Sequence, residues 1–334
     1  MIIITMPNND SAEVLYTQMK TQFPNEFVIF DHQTQVGVPD VTMLDTVDLP
    51  ETAQVITDAP TALRASRQWQ PKDTVIQTAH SQIGGENFTL VAGPDSIESQ
   101  AHIDAMAQAV KTAGATILRG GSFKPRTNPY SFQGYGETGL KEHRQAADQY
   151  GLDMMTEIMD TRDFALVNQY TDIFQVGARN MQNFSLLKQL GQQTKPVGLK
   201  RGMSATIDDL LNAAEYILAA GNPNVFLIER GIRTFDNKYT RNTFDVAAVP
   251  VLQQLTHLPV LVDPSHAAGK RALVEPLALA GVAAGAQGLM IEIHDQPEKA
   301  LVDGAQALTP EELKTLMQKA TAIKTIVKET HTDD

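Results

Sequence analysis

FTLVAGPDSIESQAHIDAMAQAVKTAGATILRGG, residues 88–121, contains one complete strand–helix–strand period. Phe88, Leu90, Val91 and Ala92 make a short apolar run that Gly93-Pro94 stops, the pattern of a buried strand. AHIDAMAQAVKTA then has apolar residues at helical spacing, and TILRGG opens the next apolar run. The first charged side chain beyond the strand is Asp95. A carboxylate placed where a buried strand empties into a loop asks for a chemical reason.

The period repeats downstream. The runs FTLVAG, TILRGG, DMMTEI, IFQVG, PVGLKRG, VFLIER, PVLVDPSH and GLMIEI alternate with helical stretches such as TIDDLLNAAEYILAA and KRALVEPLALAGVAA, and PEELKTLMQKATAIKTIV closes the series. Eight strands and eight helices over roughly 240 residues predict an α/β fold of the (β/α)8 TIM-barrel type. A doubly wound sheet is the alternative, and the count of eight argues against it. No repeat beyond the βα unit and no low-complexity segment is present.

Upstream the pattern differs. MIIIT reads as a strand, SAEVLYTQMKTQF as a helix, EFVIFD and TQVGV as a hairpin and TAQVITDA as a later strand. That order predicts a small ferredoxin-like α+β domain over residues 1–72, followed by the barrel over 73–334. RQWQPKDTVI reads as a linker into a strand.

Composition narrows the function. The net charge is −12, from 27 Lys and Arg against 39 Asp and Glu, which argues against sequence-independent binding to nucleic acid. No apolar run reaches the ~20 residues of a membrane span, so no membrane partner is expected. MIIITMPNNDS lacks a basic n-region and a cleavage site, so no secretory signal is expected and a cytoplasmic location is the default. The absence of cysteine excludes disulfides, thiolate ligands and cysteine nucleophiles.

Working residues of a TIM barrel lie at the C-terminal ends of its strands. Here those ends carry Asp95, Arg119 with Lys124 and Arg126, Glu157, Arg179, Lys200 with Arg201, Glu229 with Arg230, Asp263 with His266, and Glu292. One charged strand end is ordinary, because strands must meet water. Charges at all eight are harder to dismiss. Arg119, Lys124, Arg126, Arg179, Lys200 and Arg230 would converge on one mouth of an acidic protein, which implies one or two ligands carrying several negative charges. The bland alternative is pairing with Glu157, Glu229 and Asp263. Asp95, His266, Glu292 and Asp303 would meet where the barrel closes, and suit either a divalent metal or a set of hydrogen-bonded polar residues.

Other signals are set aside. GGSF and GYGETG match neither a dinucleotide-binding nor a P-loop pattern, and Ser96 and Ser265 lack a nucleophile-elbow setting. His102, His143 and His257 read as surface or packing residues, and Met154, Met155 and Met290 as core.

GPDSIES, LRGGSFKPRTNPYSFQG, VGARNMQNF, LKRG, IERGIRT, VDPSHAAGKR and GLMIEIHDQPEKALVDGAQ together resemble the 3-deoxy-D-arabino-heptulosonate 7-phosphate (DAHP) synthases of the type Iβ subfamily, over about residues 73–310. The resemblance implies condensation of phosphoenolpyruvate with erythrose 4-phosphate, the first step of the shikimate pathway of aromatic amino-acid biosynthesis. It implies that Arg119, Lys124, Arg179, Lys200 and Arg230 hold phosphoenolpyruvate, that Arg126 and Thr127 hold the phosphate of erythrose 4-phosphate, and that Asp95, His266, Glu292 and Asp303 bind the metal. Lys124 is the candidate proton donor to the aldehyde. It further implies a homo-oligomer (dimer or tetramer). The N-terminal domain resembles a regulatory extension, with an aromatic amino-acid effector as one reading and a structural spacer as the other.

One residue departs from the family. The position after Gly-Pro is a metal-binding cysteine in the family and Asp95 here. A carboxylate preserves the charge but is harder, favouring Mn²⁺ or Mg²⁺, with Mn²⁺ the expected ion. Two other readings stand beside it: an Asp95–Lys124 pair in a metal-independent site, and a catalytically silent homologue that binds phosphoenolpyruvate without turnover. A related synthase that makes 3-deoxy-D-manno-octulosonate 8-phosphate is the enzymatic alternative, against which KPRTNPY argues.

Overall fold

A computed structural model describes residues 1–31, 33–126 and 128–330. The chain divides into two compact units, Met1–Lys72 and Asp73–Asp334.

In the first unit, β1 (Ile2–Thr5), α1 (Asn9–Gln22), β2 (Ile29–Phe30), β3 (Gln35–Val38) and β4 (Gln54–Ile56) build an antiparallel sheet of order β2-β3-β1-β4. Successive side chains of β1 bury in opposite directions, as strand geometry dictates. Ile2 and Ile4 pack with Leu15 and Met19 of α1, and Ile3 with Leu63 and Trp69. Asn8 starts the helix by accepting the Ser11 N–H at 2.8 Å. Where a βαββαβ order calls for a second helix, only a 3-10 stretch, Val41–Thr46, is present. Its sequence VTMLDT has three β-branched residues and an Asp, and Asp40 draws the Thr42 N–H and hydroxyl into a local turn instead. Trp69, in the segment read as linker, belongs to the core of this unit and donates to Asp31 at 3.0 Å.

The second unit opens with a hairpin, β5 (Ile76–Gln77) and β6 (Gln82–Ile83). Eight parallel strands then close into a barrel: β7 (Thr89–Gly93), β8 (Ile117–Arg119), β9 (Asp153–Glu157), β10 (Ile173–Val176), β11 (Val197–Lys200), β12 (Val225–Glu229), β13 (Val260–Val262) and β14 (Gly288–Glu292). The connecting helices are α2 (Gln100–Thr112), α3 (Glu137–Tyr150), α4 (Phe164–Tyr170), α5 (Phe184–Gly191), α6 (Ile207–Ala219), α7 (Ala248–Leu255), α8 (Pro264–Ala268) and α9 (Arg271–Ala283), with α10 (Pro310–Thr330) last. Each strand is a short run buried on both faces, so it reads as continuously apolar. In α2, Ile103, Met106, Ala107 and Val110 form the buried stripe, and Ser99 caps the first turn by accepting the His102 N–H at 3.2 Å.

The hairpin decides which mouth of the barrel is open. Ile76 and Ile83 join the interior cluster of Val91, Ile117, Met155, Phe226, Leu261 and Met290. Thr78 and Ser81 of the same hairpin both donate to Asp153, the first residue of β9. The hairpin therefore plugs the N-terminal end of the barrel. The C-terminal end, where the charged strand termini lie, remains accessible.

Candidate active site

A solvent-open cavity lies at the C-terminal mouth. Asp95, Arg119, Lys124, Arg126, Arg179, Lys200, Arg230, His266 and Asp303 all line it, and Glu292 lies buried at its edge. Thr127 lies outside the described residues. Seven Lys and Arg side chains against three carboxylates border the cavity, in a chain whose net charge is −12. Arg119, Lys124, Lys200 and Arg230 are buried, whereas Arg126 and Arg179 are exposed at the rim.

The strand ends place these groups one by one. Asp95 follows β7, and its carbonyl accepts the Gly121 N–H at 3.1 Å, pulling the loop after β8 across it. Gly121 is required there: a Cβ would lie 2.8 Å from the Asp95 carbonyl and 3.0 Å from Lys124 Nζ. That close approach puts Lys124 Nζ 2.7 Å from Asp95 Oδ2 and 2.8 Å from the Asp95 carbonyl. Burial works to raise the Asp95 pKa, but Lys124 and Arg119 outweigh it and hold the group well below the usual range.

His266 is aimed by Asp263. Asp263 caps α8 by accepting the His266 N–H at 3.0 Å, and its other oxygen stands 2.7 Å from His266 Nδ1 and 2.6 Å from Lys200 Nζ. Nδ1 makes no completed hydrogen bond despite that short distance, so a proton on Nδ1, which would leave Nε2 as a lone pair for a metal, is favoured by the Asp263 charge rather than fixed by a hydrogen bond. Burial draws the imidazole down to about 4, so it is neutral near pH 7. Yet Nε2 points at anions: Glu292 Oε1 at 3.3 Å and Asp303 Oδ2 at 4.0 Å. A lone pair facing carboxylate oxygens is relieved either by a proton on Glu292 or by a cation between them.

The carboxylates show the same strain. Burial and the nearby charge of Asp95 push the Glu292 carboxyl well above its usual range. Arg119 Nη1 reaches Asp95 Oδ1 at 3.4 Å and Glu292 Oε1 at 3.3 Å, both longer than a good charge-assisted bond of about 2.7–2.9 Å. Asp303 takes a left-handed backbone with φ of 53°, alone among the described non-glycine residues. Asp95, His266, Glu292 and Asp303 each offer a donor atom, and those atoms lie within 4.8 Å of one another. One imidazole and three carboxylates form a donor set for a hard or borderline divalent ion.

Two residues of the site, Gln306 and Arg241, carry little signal in the sequence, and the role of a third, Asp263, carries none. Gln306 donates to Glu292 Oε2 at 2.5 Å and to Asp303 Oδ2 at 3.3 Å, bracing two of the four donors. Arg241 reaches Asp303 at 2.9 Å from the loop after β12. Asp263 is legible as a charged strand end, but its aiming of His266 follows only from the α8 cap. The bland pairing is also present in part: Arg201 bonds Glu229 and Asp245 at 2.9 and 2.8 Å, outside the cavity lining. Arg230 Nη1, by contrast, is buried with no hydrogen-bond partner among the described residues.

Comparison with known proteins gives a consistent pattern. Residues 71–329 match the DAHP synthetase I family. The phospho-2-dehydro-3-deoxyheptonate aldolase of Thermotoga maritima is 50% identical over 254 residues, covering 76% of this chain and 75% of that protein. A crystal structure of a Thermotoga maritima enzyme of that name, also called DAHP synthase, superposes with a TM-score of 0.79 at 40% identity, over 98% of this chain and 97% of that one. The 2-dehydro-3-deoxyphosphooctonate aldolase of Geobacter sulfurreducens is 30% identical over 266 residues, 74% of this chain and 96% of that protein.

Proposed function

The chain belongs to the DAHP synthetase I family, and from that we infer an enzyme that condenses phosphoenolpyruvate with erythrose 4-phosphate and water to give DAHP and phosphate. The higher identity to the heptonate than to the octonate aldolase supports a four-carbon aldehyde. The observation that carries the chemistry is the pairing, in one cavity, of a cation-rich wall with four convergent metal-type donors.

We assign the residues as follows. Arg119, Lys124, Arg179, Lys200 and Arg230 hold the phosphate and carboxylate of phosphoenolpyruvate, and the unpartnered Arg230 Nη1 supports an anion there. Arg126, at the rim, and Thr127 take the phosphate of erythrose 4-phosphate. Holding two anionic substrates in register supplies the proximity term, and fixed cations offset their mutual repulsion. C3 of phosphoenolpyruvate then attacks the aldehyde carbon, water adds at C2, and phosphate leaves by C–O cleavage. Lys124 delivers the proton to the aldehyde oxygen, and Asp95, through its 2.7 Å contact, holds that ammonium in place.

A divalent metal belongs to this chemistry, and Mn²⁺ is our choice for it, because Asp95 presents a hard oxygen where the family carries a thiolate. Asp95, His266, Glu292 and Asp303 would hold the ion, which when bound would polarise and orient the aldehyde. Gln306 and Asp263 keep those donors aligned.

For the first unit we propose binding of tyrosine or phenylalanine as a feedback effector. An unchanged rate on adding either would replace that with an assembly role. A homo-oligomer is part of the same reading, supported by the fully exposed Phe235 and the exposed Tyr239. No helix among the described residues is long and apolar enough to cross a membrane, and a cytoplasmic location completes the proposal.

Phosphate release with erythrose 4-phosphate, compared with arabinose 5-phosphate, tests the assignment. Turnover with the first and little with the second is expected; the reverse preference would make the protein an octulosonate-type synthase, and none with either a silent homologue.

A further inference from the structure

A second group of ligand-type side chains lies between the loops that follow β7 and β14. Glu98, His102 and His294 each place a donor atom within 4.8 Å of the others. His294 Nε2 stands 3.4 Å from Glu98 Oε2, close to the separation of about 3.3 Å between donors arranged tetrahedrally at about 2.0–2.1 Å from an ion. The two imidazole rings lie side by side, with centroids 4.3 Å apart and planes tilted by 36°.

The surroundings ask for a ligand. The His102 side chain is only 10% exposed, and neither ring nitrogen makes a hydrogen bond among the described residues, with Asp295 Oδ1 standing 3.4 Å from Nε2. Buried polar nitrogens left idle are costly and uncommon.

We propose that Glu98, His102 and His294 bind a second divalent ion, of the zinc class, separate from the one held at Asp95. Two imidazoles and one carboxylate are softer than the Asp95 set and match a three-ligand zinc site with an open fourth position. His294 Nδ1 accepts the Gln296 N–H at 2.9 Å, so the ring proton sits on Nε2. On binding, the ion takes the place of that proton and the ring changes tautomer: Nδ1 gives up the Gln296 N–H and, now protonated, donates to Asp295 Oδ1, 3.1 Å away. This is the carboxylate–histidine–metal arrangement common around bound zinc. The other oxygen of Glu98 already accepts the Leu301 N–H at 2.8 Å. The ion would thus tie α2 and the Asp95 loop to the segment carrying Asp303.

The test counts zinc bound by full-length protein after chelator treatment, Zn²⁺ loading and dialysis. Wild type is expected to hold two equivalents, and His102→Gln and Asp303→Asn one each. The Asp303 variant separates this proposal from the reading of the Asp95 site: zinc kept there and lost in His102→Gln supports the second site whatever happens at the first. If His102→Gln does not fold, Glu98→Gln replaces it with the same expectation. Zinc content in the folded variant equal to wild type would overturn the proposal, as would a wild-type equivalent lost entirely in Asp303→Asn.

Discussion

Lys124 grips Asp95 twice, with its ammonium 2.7 Å from Oδ2 and 2.8 Å from the main-chain carbonyl of the same residue. That double contact uses one carboxylate oxygen and leaves Oδ1 facing Arg119, Glu292 and the other donors. Asp95 can therefore serve Lys124 and an ion at once, which a single thiolate sulfur could do only by sharing one atom. Asp95→Asn keeps the shape but loses the charge for both. It is expected to weaken Mn²⁺ activation about 10–100-fold and to lower kcat by about 10²-fold, read from rates across a Mn²⁺ titration.

The two arginine environments predict separable kinetic effects. Arg126 is exposed at the rim, whereas Arg230 is buried with Nη1 unpartnered. Arg126→Ala is expected to raise KM for erythrose 4-phosphate about tenfold or more and leave KM for phosphoenolpyruvate little changed. Arg230→Lys, which replaces a planar fork by a point charge, is expected to do the opposite. Steady-state kinetics with each substrate varied in turn decides this. A matching rise for both substrates in both variants would remove the assignment.

Gln306 braces Glu292 and Asp303 without being a donor in the four-residue set. Gln306→Leu leaves a buried Glu292 oxygen without its partner and leaves Asp303 held by Arg241 without the Gln306 brace. The expected result is a metal affinity lower by about 10–100-fold, with activity recovered at high Mn²⁺. Failure to recover would point to a role other than alignment.

Much of this architecture is legible in the sequence. Each barrel strand is a short apolar run closed by Gly, Pro or a charge, and burial on both faces writes that pattern directly. Asp95, Arg119, Lys200 and Glu292 stand out because a charge at the end of an apolar run is visible as a break. Gln306 and Arg241 lie well beyond any strand end, and an uncharged Gln gives no electrostatic cue. The role of Asp263 depends on the α8 cap, which three-dimensional geometry alone reveals. His102 reads as a helix residue like any other, since its partner His294 lies at the far end of the barrel sequence. The missing second helix of the first unit reflects a local choice, in which Asp40 and Thr42 close a turn that propensity arguments resolve only weakly.

His143 supplies a stability prediction independent of the site. It is fully buried, its Nε2 donates to the Leu118 carbonyl at 3.1 Å, and burial draws its pKa from 6.5 to about 3. Between those values the unfolded chain binds a proton that the folded chain does not, so stability rises with pH across that window. The contribution is complete above pH 6.5 and is lost at up to about 1.4 kcal/mol per unit as pH falls toward 3. His143→Gln, which can still donate to Leu118, is expected to flatten that part of the slope. Denaturant unfolding of both proteins at pH 7 and pH 5 measures it; equal slopes would show that His143 does not titrate on unfolding.

We propose that Asp95 works as an oxygen ligand in a metal-dependent synthase. The most direct test is the rate of phosphoenolpyruvate loss with erythrose 4-phosphate after chelator stripping, with and without added Mn²⁺. Activity that disappears on stripping and returns with Mn²⁺ is the predicted result. Activity that survives stripping would contradict it and leave the Asp95–Lys124 pair to do the chemistry without an ion.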